Sequence, residues 1–173
     1  MTPEGRAVIL SLVQVPGRER EGTPEDVLRH FGVTDGKKLG LRLLRDAIER
    51  RDSEDIDFAL IVCGVFGITM NHLNMLIQLS SADWHQIHEK VVYQLDKLRT
   101  PAAVDALYEA TQWVPDYLEW DDTRALARNA IWAIGKIPGP EAQRALERLL
   151  KSDDEILRDG AREQIERRAK AQG

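Results

Sequence analysis

Apolar residues along this chain recur at intervals of three and four, the spacing that gathers them on one face of an α-helix. Ala142, Ala145, Leu146, Leu149 and Leu150 show it, as do Leu157, Ala161 and Ile165. The two-residue alternation of a half-buried strand is absent over most of the sequence. The pattern also repeats along the chain. The stretch from Thr69 lies over that from Thr100 at an offset of 31 residues, pairing Leu73 with Val104 and Leu76 with Leu107. The stretch from Trp84 lies over that from Thr123 at an offset of 39, pairing Ile87 with Leu126, Val91 with Ala130 and Leu95 with Ile134. Pro101 falls on Pro140 at the same offset. Leu126, Ala130 and Ile134 recur as Leu157, Ala161 and Ile165 at 31, and Ile56 and Leu60 recur as Ile87 and Val91 at 31 again.

A single insertion of eight residues, within Gln112–Trp120, accounts for both offsets. The pattern therefore predicts an all-α fold, an α-solenoid of about four helical hairpins at 35–67, 69–98, 100–137 and 140–169 in one domain spanning 1–173. Residues 1–34 are read as a helical cap. In that cap Thr2 and Pro3 open a helix stopped by Pro16 and Gly17, and Thr23, Pro24, Glu25 and Asp26 open a short one ending near Gly32. Such a cap is required because each hairpin buries its apolar face only against its neighbours. Pro101 and Pro140 sit where a first helical turn tolerates proline, and Asp121, Asp122, Asp153 and Asp154 where acids favour a helix start.

These units resemble HEAT repeats of the short type found in relatives of phycobilisome lyases, whose second helix carries an Asp, a Val-Arg pair, spaced alanines and Leu-Gly. Asp154, Leu157, Arg158, Ala161 and Ile165 fit that pattern, and so do Asp122, Leu126, Ala130, Ala133, Ile134 and Gly135, with Ala127 in the arginine position. Toward the N-terminus the likeness thins: Ile87 and His88, then Ile56 and Asp57, take the Val-Arg positions. DGKKLGLRLLRDAI from Asp35 and ADWHQIHE from Ala82 are also similar to segments of small bacterial HEAT-like proteins, some of which are immunity proteins that neutralise polymorphic toxins. The resemblance implies a binding scaffold, and one member of that class would capture a toxin.

Composition narrows the setting. The chain has 173 residues, 43 % hydrophobic and 31 % charged, enough for one soluble domain with a real core. Cys63 is the single cysteine, so neither an internal disulfide nor a cysteine-built metal site is available, and a reducing, cytoplasmic location is expected. The first twenty residues lack the features of a secretory signal, and the apolar run Phe58 to Met70 is too short to span a bilayer, which makes it the helix expected to be most enclosed.

Charge is unevenly spread. Between Asp83 and Asp122 there are nine acids (Asp83, Glu89, Asp96, Asp105, Glu109, Asp116, Glu119, Asp121 and Asp122) against Lys90, Lys97 and Arg99. That segment carries −6 of a total of −5 and holds six of the ten aromatic residues. Within it the insertion offers Trp113, Asp116, Tyr117, Glu119, Trp120 and Asp121 as a contact patch for a basic protein, a toxin domain included. The competing reading folds Trp113 and Trp120 back over the local core, while Trp132 is expected to pack.

A second constellation, Asp83, His85, His88 and Glu89, sets two histidines on one helical face and is the candidate for a metal or acid–base site. Deoxyhypusine hydroxylases, HEAT-repeat iron enzymes, repeat a His-Glu pair just after the arginine position. Here His88-Glu89 is the only such pair and His88 occupies the arginine position itself, so a structural role is expected, with His88 and Asp83 capping and bridging repeats. No metal or other cofactor is predicted. Phosphate loops, serine elbows and catalytic cysteines are absent, so the chain is not expected to be an enzyme. Arg42, Arg45, Arg50 and Arg51 are interleaved with Asp46, Glu49, Asp52, Glu54 and Asp55, which reads as a solvated helix surface rather than a nucleic-acid face. The expected function is protein binding, with a metal-dependent enzyme or a self-assembling scaffold as the alternatives.

Overall fold

A computed structural model describes residues 1–14, 16–17 and 21–172, with no side chain described for residue 172. Positions 15 and 18–20 of the predicted cap lie outside the described residues. Every regular element among the described residues is helical. The chain packs as two compact units, Met1–Met75 and Leu76–Gly173.

The first unit contains α1 (Pro3–Leu10), α2 (Pro24–His30), α3 (Gly36–Arg50) and α4 (Ser53–Phe66). Its helix starts follow from side chains that replace missing intrahelical acceptors. Thr2 accepts from Gly5 N–H, Thr23 and Asp26 form a reciprocal capping box, Asp35 accepts from Lys37 and Lys38, and Asp52 accepts from Asp55. Arg51, at φ 50°, turns α3 directly into α4. The two helices come close because Gly40 faces Cys63: a Cβ at Gly40 would sit 2.9 Å from the Cys63 sulfur. Burial pushes the Cys63 thiol up to about 12, so it serves as a small hydrophobe. The enclosed apolar helix is α4, which ends at Phe66 and Gly67 (φ 89°), short of Met70.

The acid interleaving predicted for a solvated surface fails at Asp55, which is 1 % exposed. Arg6 Nε and Nη2 donate to its Oδ1 at 2.9 and 2.8 Å, and Arg50 Nη2 to its Oδ2 at 2.5 Å. The α-amino group of Met1 also binds Oδ2. Burial raises the carboxyl pKa, but the hydrogen bonds from Met1, Arg50 and Arg6 outweigh it and hold Asp55 below the usual range.

Helix α5 (Leu73–Ser80) runs across the boundary between the units. The second unit continues with α6 (His88–Leu98), α7 (Val104–Gln112), α8 (Ala125–Lys136), α9 (Pro140–Leu149) and α10 (Glu155–Gln172). Single 3-10 turns precede α5 and α7 at Met70–His72 and Pro101–Ala103. Helices α6, α8 and α10 pack as one layer, and α7 and α9 as the other. Helix α8 is central, touching α6, α7, α9 and α10, and its small Ala127, Ala130 and Ala133 permit that approach. Among the described residues no helix is long and apolar enough to cross a membrane.

One predicted pairing is corrected. Val91, Val92 and Leu95 are buried as are Ala130, Ile131 and Ile134 at the expected offset of 39. The buried set of α4, Ile56, Ala59, Leu60 and Cys63, matches α6 at 32 rather than 31. Ile56 therefore corresponds to His88, and Ile87 stands before the helix as its N-cap.

Candidate functional site

The register places His88 where α4 has Ile56 and α8 has Ala127, all three buried. An imidazole at such a position must have its nitrogens satisfied inside the protein. His88 Nε2–H donates to the Ala82 carbonyl at 2.8 Å, which leaves Nδ1 as an acceptor. The donor is the hydroxyl of Tyr117, 3.0 Å away, whose oxygen in turn accepts from the His88 backbone N–H at 3.2 Å. Neighbouring His85 is arranged alike: Nε2–H donates to the Leu79 carbonyl at 2.9 Å, and Nδ1 accepts from Ile87 N–H at 3.3 Å. The two rings lie 4.2 Å apart, centroid to centroid.

Burial is the main reason both imidazoles are harder to protonate than usual. It outweighs the opposing hydrogen bonds to Leu79 and Ala82, and it takes His88, with a smaller push from His85, down to about 4. Both rings are thus neutral at pH 7. The same burial raises the Tyr117 phenol. For a metal or acid–base site this arrangement offers little. All four ring nitrogens have protein partners, Asp83 is exposed, and Glu89 accepts from Asn129 Nδ2 at 3.2 Å. Among the described residues no three His, Cys, Asp or Glu side chains converge as a ligand set. The capping expected of Asp83 is not found either, since Ile87 caps α6 with no side-chain bond. His88 does bridge, but to the insertion.

The connection that holds that insertion, 113–124 between α7 and α8, is the longest in this unit. It leaves α7 at Trp113, makes one 3-10 turn at Asp116–Leu118, and enters α8 through Arg124, a non-glycine residue at φ 52°. Arg124 is held there by donating to the Thr111 carbonyl (2.9 Å) and to Asp154 at the start of α10 (2.5 Å). Asp121 stabilises the entry: its carboxylate accepts from Thr123 Oγ1–H at 2.5 Å, from Thr123 N–H at 3.0 Å and from Ala125 N–H at 2.7 Å. Those bonds, the Thr123 hydroxyl first, hold Asp121 below the ordinary carboxylate range.

The six predicted contact residues divide. Trp113 is half-buried and meets the His88 ring edge to face at 4.8 Å, and the space beneath it, bounded by Pro115, Leu118, Leu126 and Ala127, amounts to about 10 Å³. Tyr117 is half-buried, stacked on His88 at 5.6 Å. Asp121 is spent on the α8 N-terminus. Asp116, Glu119 and Trp120 face solvent, Trp120 at 78 % exposure. Its indole N–H donates to the Tyr117 carbonyl at 2.8 Å, which fixes an otherwise free ring. Among the described residues Asp116, Glu119 and Asp122 make no ion pair, whereas Asp96 is neutralised by Lys136 at 2.6 Å.

Sequence reasoning missed the link between His88 and Tyr117, 29 residues apart, and no local signal announces it. It also missed two surface hollows. One of about 480 Å³ is lined by Tyr108, Thr111, Arg124, Arg148 and Asp154; the other, of about 530 Å³, lies along α8 and α10 between Arg128, Trp132, Asp159 and Glu163. Trp132 is 40 % exposed and covered by Arg167 rather than packed in the core.

Neither a curated protein nor a solved structure matches the chain. Residues 126–152, running from α8 through α9, match the model of the PBS lyase HEAT-like repeat, and that stretch is similar to such a repeat.

Proposed function

We propose that the chain is a protein-binding scaffold, a HEAT-like α-solenoid whose hairpins at 35–67, 69–98, 100–137 and 140–169 follow an N-terminal cap in a single domain. Its binding surface is the 113–124 connection that holds the insertion, and its partner is a basic protein. The observation that carries this reading is Trp120, a large aromatic ring held in solvent by a hydrogen bond, with Asp116, Glu119 and Asp122 within four residues of it, exposed and without an ion pair among the described residues. Exposed aromatic anchors of this kind dominate protein interfaces, and bordering acids steer a basic partner toward them. Trp113, Tyr117 and Asp121 act from behind by fixing the backbone that carries Trp120. A buried, inert Cys63 suits the reducing cytoplasm.

The test is capture from the native cell with the chain and its Trp120→Ala variant side by side. A protein retained by the first, lost by the second and released as salt is raised supports the surface. Equal retention by both moves the interface elsewhere on the chain. A narrower version, capture of a basic toxin domain, draws on the resemblance of the 35–48 and 82–89 segments. It requires that the captured protein be toxic when expressed alone and harmless when co-expressed with this chain.

A further inference from the structure

The aromatic rings of the second unit that do not pack on His85 or His88 follow a rule with one exception. Tyr93 carries the Lys97 ammonium 4.5 Å from its ring centre, Tyr108 carries the Arg148 guanidinium at 4.0 Å, and Trp132 carries Arg167 at 4.3 Å with Lys136 at 5.4 Å. The remaining partly buried rings, Trp84, Trp113 and Tyr117, pack against His85 or His88. Trp120 is the most exposed of all, and among the described residues no cation lies over it. Its indole N–H is already used on Tyr117, so what it offers a partner is the π face. Within four residues of it the chain supplies exposed carboxylates, Asp116, Glu119 and Asp122, and among the described residues none of them has a cation of its own.

We infer that Trp120 receives an arginine side chain from the partner, the kind of cation that this chain gives its other rings away from His85 and His88 and withholds here. The inference rests on the insertion being the binding surface and adds the chemistry of the contact. A guanidinium suits the position better than an ammonium for two reasons. Being planar and weakly hydrated, it stacks on an indole at low desolvation cost, and its N–H groups at the rim remain free to reach a carboxylate. The two shortest cation–ring distances within the unit are those of arginines. The acids of the rim then act as the second half of the contact, as charge-assisted acceptors.

The test uses the whole ¹⁵N-labelled chain and three capped tetrapeptides, of arginine, lysine and citrulline, with the Trp120 indole N–H resonance identified by its loss in Trp120→Phe. The expected result is saturable movement of that resonance with the arginine peptide, at an affinity several-fold above that of the lysine peptide, and none with citrulline. Trp120→Ala is expected to lower the arginine-peptide affinity by about tenfold, and Asp116→Asn with Glu119→Gln by a smaller factor while leaving the indole in place. A still resonance, equal affinities for arginine and lysine, or an unchanged affinity in Trp120→Ala overturns the inference. If these peptides fail while a cellular partner is still lost by Trp120→Ala, the surface stands and the guanidinium contact falls.

Discussion

Asp55 in the first unit and His88 in the second are both about 1 % exposed, and both lie in the first turn of a helix. They solve the same problem in opposite ways. Asp55 keeps its charge and gathers two guanidinium groups and an ammonium, long or mobile groups that reach it from α1, α3 and the chain start. His88 gives up its charge and is satisfied by neutral partners, a carbonyl and a phenol. Charged partners can come from flexible side chains, because a carboxylate attracts them over a distance. A neutral ring has no such reach and needs its donor built in place, and the insertion builds it. The first arrangement is closed on itself; the second passes through Tyr117 to the surface at Trp120.

The comparison is broken most forcefully at Asp55. Asp55→Ala leaves Arg6 and Arg50 without their buried partner, and a loss of about 3 kcal/mol is expected, at the low end for a broken buried pair because both arginines can turn to water. Urea unfolding at pH 7 measures it. A loss under 1 kcal/mol would mean that the network stabilises nothing.

The next effect is a separation in pH. The folded-state pKa of Asp55 lies below its ordinary 3.8, so its contribution is whole above that value and fades only as pH falls through the lower, folded one. For His88 the unfolded value is 6.5 and the folded value about 4, so the unfolded chain takes up the proton first. Its contribution is whole above pH 6.5 and is lost as pH falls toward 4, by up to about 3 kcal/mol. His85, in the same unit, is also shifted downward, chiefly by burial, and acts in the same direction, as does His72 in the first unit. Acid should therefore weaken the second unit, which holds His85 and His88, more than the first, which holds His72. Imidazole resonances followed from pH 7.5 to 4 check this directly, and a His88 titrating near 6.5 would contradict it.

Most helix starts were legible because they are local: Thr2, Thr23, Asp35 and Pro140 each announce a helix within four residues. The length of the insertion was legible too, as the difference between two offsets. The register of α6 was not, because apolar matching counts Ile87 as core and a histidine as surface, whereas the satisfied imidazole of His88 is the buried residue. For the same reason Asp55 looked like one acid of a solvated series. Which ring of the insertion projects was hidden as well. Trp113, Tyr117 and Trp120 differ little as letters, and what separates them is a hydroxyl that finds a partner 29 residues away. Part of the acid excess has a local cause that composition conceals: Asp121 accepts from the first backbone N–H of α8, as Asp154 outside that segment accepts at the start of α10, where negative charge is favoured in any helix.

Tyr117→Phe sharpens the comparison by removing one oxygen. The buried Nδ1 of His88 loses its donor and the His88 backbone N–H its acceptor, for a cost of about 2 kcal/mol. The packing of the ring is kept, so Tyr117→Phe should unfold cooperatively at lower urea. A variant as stable as the parent would show that water replaces the hydroxyl.

The smallest expected effect on stability belongs to Trp120→Ala. The ring is 78 % exposed, and the one hydrogen bond it forms, to the Tyr117 carbonyl, is open to water that can take its place. A change within about 0.5 kcal/mol follows for unfolding, against roughly 2 kcal/mol or more for binding if the ring is an interface anchor. Tyr117→Phe is expected to do the reverse, costing stability directly and binding only through a looser Trp120. Measuring both variants by urea unfolding and by partner affinity separates support from contact. If Trp120→Ala instead destabilises the fold by as much as Tyr117→Phe, the indole is part of the core's lid, and its exposure does not mark a binding surface.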